Sequence, residues 1–283
     1  MPFGLDEARQ QVLANSSALP HYASFSEHRQ RLTSLTLDAA GARPGPSLCV
    51  LGAGNCFDLD LEALADRFSS IHLVDLDAGA LTRAREQTSA ATRARVQLHA
   101  PLDLTGFLDR IDRWAGLQVT PEELMAHPAR TAEQLRTALS GPFDVVLSSC
   151  ILSQMQLSVL NVLGDRHRLF HALRLISNLT HWRTLAELTR PGGCALFATD
   201  VSSNELHPLD QIAAGADCRP LLENLVKQGK IFDFADPSQI AAQLRDDPAL
   251  ERAFATPDLR DAWVWCNGPQ TKFLVYASAL ARR

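Results

Sequence analysis

The sequence predicts an α/β fold: a mostly parallel sheet with helices on both faces that ends in an antiparallel hairpin. Short apolar runs at 48–51 (LCVL), 71–75 (IHLVD) and 96–99 (VQLH) alternate with helix-patterned stretches such as DLEALADRF and ALTRAREQTSAA. Strands covered on both faces by crossover helices read as such continuous apolar runs. The first run feeds directly into a turn with two glycines, LGAGN, and then into a helical stretch. Near the end, WVWC and KFLVYASAL are joined only by the turn NGPQ. So short a link makes a hairpin, because parallel neighbours need a long crossover.

Along the chain, residues 1–40 read as helical, with Phe25, Leu32 and Leu35 as apolar positions among polar ones. The breaker cluster GARPGP at 41–46 marks a boundary, giving a helical cap over 1–46 and a main domain over 47–283. A long connection follows the third strand and contains TPEEL, where Thr120 caps, Pro121 opens the helix and Glu123 completes a capping box. FDVVLSS at 143–149 is the most apolar strand and should be central. A helix over about 165–189 presents Leu169, Leu173, Ile176, Leu179 and Leu188 along one side. RPGG ends it, and CALFATD at 194–200 is the fifth strand. Residues 201–260 form a lid-like insertion, helical in parts, as the capped start DPSQIAAQL shows.

The 283 residues are 46% hydrophobic and 21% charged, with a net charge of −5 and both signs interspersed. That composition fits an ordinary soluble domain and argues against a surface that coats nucleic acid. The expected partner is a small-molecule substrate, with no nucleic acid and no membrane; nothing in the pattern speaks to oligomeric state. The six cysteines show neither a CxxC pair nor metal-type spacing, so they read as buried free thiols in a reducing cytoplasm. The N-terminus lacks the basic-then-apolar layout of a signal peptide, and no apolar run approaches the ~18 residues of a membrane span.

Glycine at 52 and 54 permits a tight turn and lets backbone approach a ligand closely. The helix start that follows offers free N–H groups and positive potential. Twenty-three residues beyond Gly52, the second strand ends in Asp75, an acid placed to take ribose hydroxyls. A nicotinamide fingerprint would need glycine at position 57, where Phe57 stands; the terminal hairpin also disagrees with that reading.

These residues resemble the class I S-adenosylmethionine-dependent methyltransferases over about 47–280. VLGAGNC is similar to their glycine-rich first motif, which places Gly52, Ala53 and Gly54 at the cofactor. LVDLD resembles the second, with Asp75 on the ribose and Leu76 beside it. HAPLDLT resembles the segment after strand three, giving Asp103 the adenine amino group and Leu104 contact with the base. FDVVLSSCILSQM resembles the fourth motif, whose strand end, with Ser149, lies beside the methyl group. LTRPGGCALFATD resembles the passage into strand five. The resemblance implies sheet order 3-2-1-4-5-7-6 with strand seven antiparallel, and S-adenosylmethionine as cofactor. Two positions depart from it: Val50 stands where an acid is frequent, and Cys56 where a third glycine is. Asp58, read as lying in the first turn of the next helix, could supply negative charge near the cofactor's amino group.

Methyl transfer from a sulfonium expels a neutral leaving group, so alignment and water exclusion dominate, with a base only if the acceptor must lose a proton. Sites in open α/β sheets lie beyond the carboxyl ends of the strands, which selects Ser149, Cys150, Asp200 and Ser202. Asp200 and, from the insertion, His207 are the candidate bases; Cys150 as a covalent nucleophile is the weaker idea. No metal site is expected. Tyr22, Phe25 and His28 and the insertion are positioned to close over the cofactor. A non-catalytic module on the same fold, or aminopropyl transfer, remains an alternative to methyl transfer.

Overall fold

The computed structural model describes residues 3–283. Two N-terminal helices, α1 (Phe3–Ala18) and α2 (Ser26–Ala39), are joined by a 3-10 segment over Leu19–Phe25. The first half of the sheet domain then runs β1 (Ser47–Leu51), α3 (Leu61–Arg67), β2 (Ser70–Val74), α4 (Ala78–Glu86), α5 (Ala90–Arg93) and β3 (Val96–His99). After α6 (Ile111–Ala115) and α7 (Pro121–Ala138) come β4 (Phe143–Ser149), α8 (Ile151–Leu163), α9 (Phe170–Leu188) and β5 (Thr189–Ser203). The insertion holds α10 (Arg219–Gln228), α11 (Pro237–Asp246) and α12 (Pro248–Ala253), and β6 (Asp258–Cys266) and β7 (Lys272–Ala281) close the chain.

The seven strands lie in the order β3-β2-β1-β4-β5-β7-β6, with β7 antiparallel to both β5 and β6. This is the sheet of the class I methyltransferase fold, as expected. Every residue of β4 is buried, which suits a central strand flanked by parallel neighbours and covered on both faces. One apolar cluster beneath α7, α9 and the insertion takes one face of the sheet and contains Trp182 and Tyr276. The other face is covered by α2 and α3 and contains Trp263 and Phe68.

Several boundaries differ from the sequence reading for identifiable reasons. The expected helix DLEALADRF begins only at Leu61, because the Asp60 side chain accepts from Ala63 N–H as the N-cap. Asp58 therefore lies in the loop and not in a first helical turn. The stretch ALTRAREQTSAA splits in two, since Ser89 caps a new short helix through Thr92 N–H. Strand five is longer than 194–200: RPGG lies extended, with Thr189 paired to Phe143 and Gly192 N–H bonded to Arg282 O. Thr120 caps α7 as expected, but Glu123 turns its carboxylate to Arg113 and Trp114 and leaves the box half-made.

Tyr276, fully buried on β7, donates its hydroxyl to Ala235 O at 3.0 Å and so ties the insertion to the sheet. Tyr276→Phe should lower stability in a urea melt by about 1–2 kcal/mol, the cost of leaving a buried carbonyl without its donor.

Candidate active site

Gly52 (φ +73°) and Gly54 (φ +49°) both occupy the left-handed region. The N–H groups of Gly52 and Ala53 both donate to Val74 O at 3.0 Å, so the turn hangs from the end of β2. Asp75 completes it from below: Oδ2 accepts from Gly54 N–H at 2.8 Å and Oδ1 from Asp77 N–H at 2.9 Å. Only 4% of Asp75 is exposed, and burial pushes its carboxyl above the usual range against the pull of these N–H groups. Cys56, where the resemblance expects a glycine, takes a φ of +53°. A side chain in that region carries strain of about 1–2 kcal/mol.

Helix α1 lies across this turn. Asn15 Nδ2 donates to Asp77 Oδ2 at 3.1 Å, and Asn55 Nδ2 donates to Asn15 O at 2.7 Å. Between α1 and the glycines remains a cavity of about 130 Å³ bounded by Asp58, Asp75, Ser149, Phe25 and Trp265. Of the expected cap residues, Phe25 lines this cavity. Tyr22 meets Phe57 edge-on, and His28 is buried against Trp265. Asn15 carried no sequence signal: one asparagine on a polar helix resembles any other.

On the far side of the β2 tip, Leu76, Leu102, Asp103 and Ala8 line a second cavity of about 630 Å³. Asp103 is placed there, but its carboxylate already holds its own loop, accepting from Thr105 N–H and O–H through Oδ1 and from Leu108 N–H through Oδ2. Leu104 turns the other way, 8% exposed in the core cluster with Leu135 and Leu139. The Leu104 side chain, expected against the base, does not line this cavity, whereas that of Leu102 does.

The tip of β4 divides the glycine cavity from a third. Ser149 donates to Asp58 Oδ2 at 2.7 Å, and Asp58 Oδ1 lies 3.8 Å from His28 Nε2. Trp263 donates to His28 Nδ1 at 3.0 Å, and burial holds that imidazole below its usual range and so neutral. Cys150 follows with a left-handed φ of 48° at the start of α8. Strained non-glycine residues gather at functional sites, and Cys56 and Cys150 both flank this one. The third cavity, about 690 Å³, shares Cys150, Gln154, Trp265 and Asn267 with the glycine cavity. Its wall is mainly apolar and includes Asp200. Burial raises the Asp200 carboxyl to about 6, and its Oδ1 has no partner among the described residues.

Two expected site residues lie elsewhere. Ser202 is fully buried and donates to Lys230 O at 2.9 Å. His207 lines none of these three cavities. Because β5 continues to Ser203, His207 is carried past the site into a turn closed by its N–H on Ser203 O. Sequence reasoning passed over Gln154, Trp265 and Asn267. The last two are the end of the β6–β7 hairpin, whose return to the site depends on antiparallel pairing and not on any local motif.

No protein-family model matches the chain, and no curated protein matches it. Among solved structures, magnesium protoporphyrin IX methyltransferase (ChlM) from Synechocystis with bound SAH is 12% identical, with 91% of this chain and 84% of that one covered and a TM-score of 0.46. An rRNA methylase from Streptococcus thermophilus is 11% identical over 88% of this chain and 94% of that one, TM-score 0.38. TrmN from Thermus thermophilus is 17% identical, TM-score 0.40; 92% of this chain is covered, which spans about half of TrmN, 52%. The expectation of a small-molecule substrate with nucleic acid excluded is corrected here, because an rRNA methylase stands among the structures similar to this chain. No helix among the described residues is long and apolar enough to cross a membrane.

Proposed function

We propose that this chain binds S-adenosylmethionine across the tips of β1, β2 and β4 and catalyses transfer of its methyl group to an acceptor in the large third cavity. The observation that carries this reading is the shared wall: the glycine cavity and the apolar cavity meet at Cys150, Gln154, Trp265 and Asn267. Such a junction is what in-line transfer between two bound groups requires. The residues fit the cofactor. The glycine turn accommodates its amino-acid end with Asp58 facing the ammonium, Asp75 accepts from the ribose hydroxyls, and Leu76 and Leu102 flank the base. The 130 Å³ beneath α1 is below the ~300 Å³ at which ligand pockets begin, so α1 and Asn15 lift to admit it. The cofactor supplies an electrophilic sulfonium methyl; the chain supplies alignment and, through α1 and the aromatic walls, exclusion of water.

Calorimetry of the full chain with S-adenosylmethionine, S-adenosylhomocysteine and NAD tests this. The first two should bind and NAD should not. Asp75→Ala should weaken both by about 10–100-fold, the worth of hydrogen bonds to a charged group. Binding of neither adenosyl ligand would overturn the proposal and favour a non-catalytic module on this fold.

A further inference from the structure

The third cavity defines what its acceptor looks like. Phe170, Phe232, Phe234, Trp265 and Phe273 supply aromatic surface on several sides, with the Phe232 and Phe234 rings nearly parallel at 7° and 5.7 Å between centroids. One guanidinium reaches the wall, Arg174, and it is already committed. Its two terminal nitrogens take both oxygens of Asp233 at 2.9 and 2.5 Å, and its Nε donates to Gln156 Oε1 at 2.7 Å. No cation on that side is left to receive an anionic ligand. Two buried polar atoms on residues of this wall lack a partner among the described residues, Trp265 Nε1 and Asp200 Oδ1. Of these only Asp200, 6% exposed and held by the Ser153 hydroxyl, can accept a hydrogen bond. A buried oxygen lacking a donor is costly to leave so. A carboxyl group turns readily about its last torsion, which lets either oxygen meet a donor arriving from the cavity.

We infer that the cavity takes a flat, mainly apolar acceptor group that presents one O–H or N–H to the Asp200 carboxylate, and that this carboxylate receives the acceptor's proton. This rests on the methyltransferase reading for the transfer step but not for the binding step. As the acceptor atom attacks, its bond to the methyl carbon forms and the carbon–sulfur bond breaks with its electron pair left on sulfur. The proton of the O–H or N–H passes to Asp200. The same chemistry is offered by a free aromatic molecule and by a nucleobase turned out of a strand, which also enters its pocket between apolar faces.

The test uses the full chain without cofactor, titrated with 2-naphthol, naphthalene and 2-naphthoate and followed by ligand fluorescence. 2-Naphthol should bind about tenfold tighter than naphthalene, matching one hydrogen bond to a charged group, and naphthoate should bind weakest. In Asp200→Asn the preference for the naphthol should shrink to about threefold or less, since an amide oxygen is a weaker acceptor than a carboxylate. Leu157→Trp, at a position 52% exposed at the cavity, keeps the test decisive if the first variant folds poorly; it should weaken all three ligands. Equal binding of naphthol and naphthalene, or no effect of Leu157→Trp, overturns the inference. Competition for bound 2-naphthol by an adenine-containing single-stranded oligonucleotide would identify the source as nucleic acid, and its absence a free aromatic. Because no methyl donor is present, failure here leaves the calorimetric result on S-adenosylmethionine standing, and the reverse holds too.

Discussion

Gly52→Ala should both destabilise the protein and remove cofactor binding. A Cβ at this position would lie 2.9 Å from Ile151 Cβ, 3.0 Å from its Cδ1 and 3.1 Å from its Cγ1, at a φ of +73°. Ile151 is the first residue of α8 and packs against the core, so it has little freedom to retreat. The left-handed backbone costs about 1–2 kcal/mol for a residue with a Cβ, and overpacking adds about 1–3 kcal/mol. A loss of roughly 2–5 kcal/mol in a urea melt follows from adding these. The displaced turn also moves Gly54 N–H away from Asp75. Ile151→Ala in the same chain should return only part of the loss, because the Cβ–Cβ contact and the backbone strain both remain. Gly54→Ala should be milder in packing: its Cβ meets Asn15 Oδ1 at 3.0 Å, the end of a side chain that can swing away. A Gly52→Ala chain as stable as the parent would show that the turn is not pinned against α8.

The turn also shows why some of this molecule was legible in its sequence. Apolar runs at 48–51 and 143–149 mark strands because burial on both faces leaves little polar alternation to confuse the period. At the sheet edge, VQLH at 96–99 is legible instead from its alternation. The hairpin was readable from the shortness of NGPQ, a constraint of geometry and not of propensity. The sequence was weaker where one residue serves two structures. RPGG looks like a terminator, yet Thr189 already pairs with Phe143, so the helix passes straight into the strand. Asp58 looks like a first-turn acid, but Asp60 wins the capping position through Ala63 N–H. Leu102 and Leu104 are identical in type and lie in the same loop. Two residues apart, they would share a face in extended chain, but the turn held by the Asp103 carboxylate on Thr105 and Leu108 N–H bends the loop there, so one lines a cavity and the other fills the core.

The site itself was legible only where backbone chemistry dictates residue type. Glycine at 52 and the acid at 75 are visible because few residues can do their work. Trp265, Gln154 and Asn267 are ordinary residues brought to the candidate site by the folding of β6 and α8 onto the β4 tip. His207 failed for the converse reason: its chemistry is suggestive, but three further residues of β5 beyond Asp200 carry it out of reach.

Asp200→Asn should make the protein more stable at pH 8 while abolishing most of the proposed methyl transfer. The carboxyl is raised from 3.8 to about 6, with burial as the largest cause and the Ser153 hydroxyl opposing it. The neighbouring Cys150 thiol is itself pushed up by burial and by Asp200, and the cation of this cavity is engaged with Asp233. Nothing charged therefore compensates the carboxylate. The sign follows from proton counting. Below about pH 4 both folded and unfolded chains hold the proton, and the group is neutral to stability. Between about pH 4 and 6 the folded chain still binds it while the unfolded chain has lost it, so stability falls as pH rises. Above about pH 6 the full penalty applies, on the order of 3 kcal/mol. An amide carries no such charge, so the variant should gain roughly 1–3 kcal/mol at pH 8, after the cost of a less satisfied amide N–H, and nothing at pH 4. Loss of a positioned base should lower transfer about 10²–10⁴-fold, with cofactor affinity unchanged. Thermal melts at pH 4 and pH 8 separate the outcomes. A gain present at both would point to packing and not charge, and no gain at pH 8 would show that Asp200 is not a buried, uncompensated carboxylate. The expected pattern is the one a catalytic group produces when a fold holds it ionised against the preference of its surroundings.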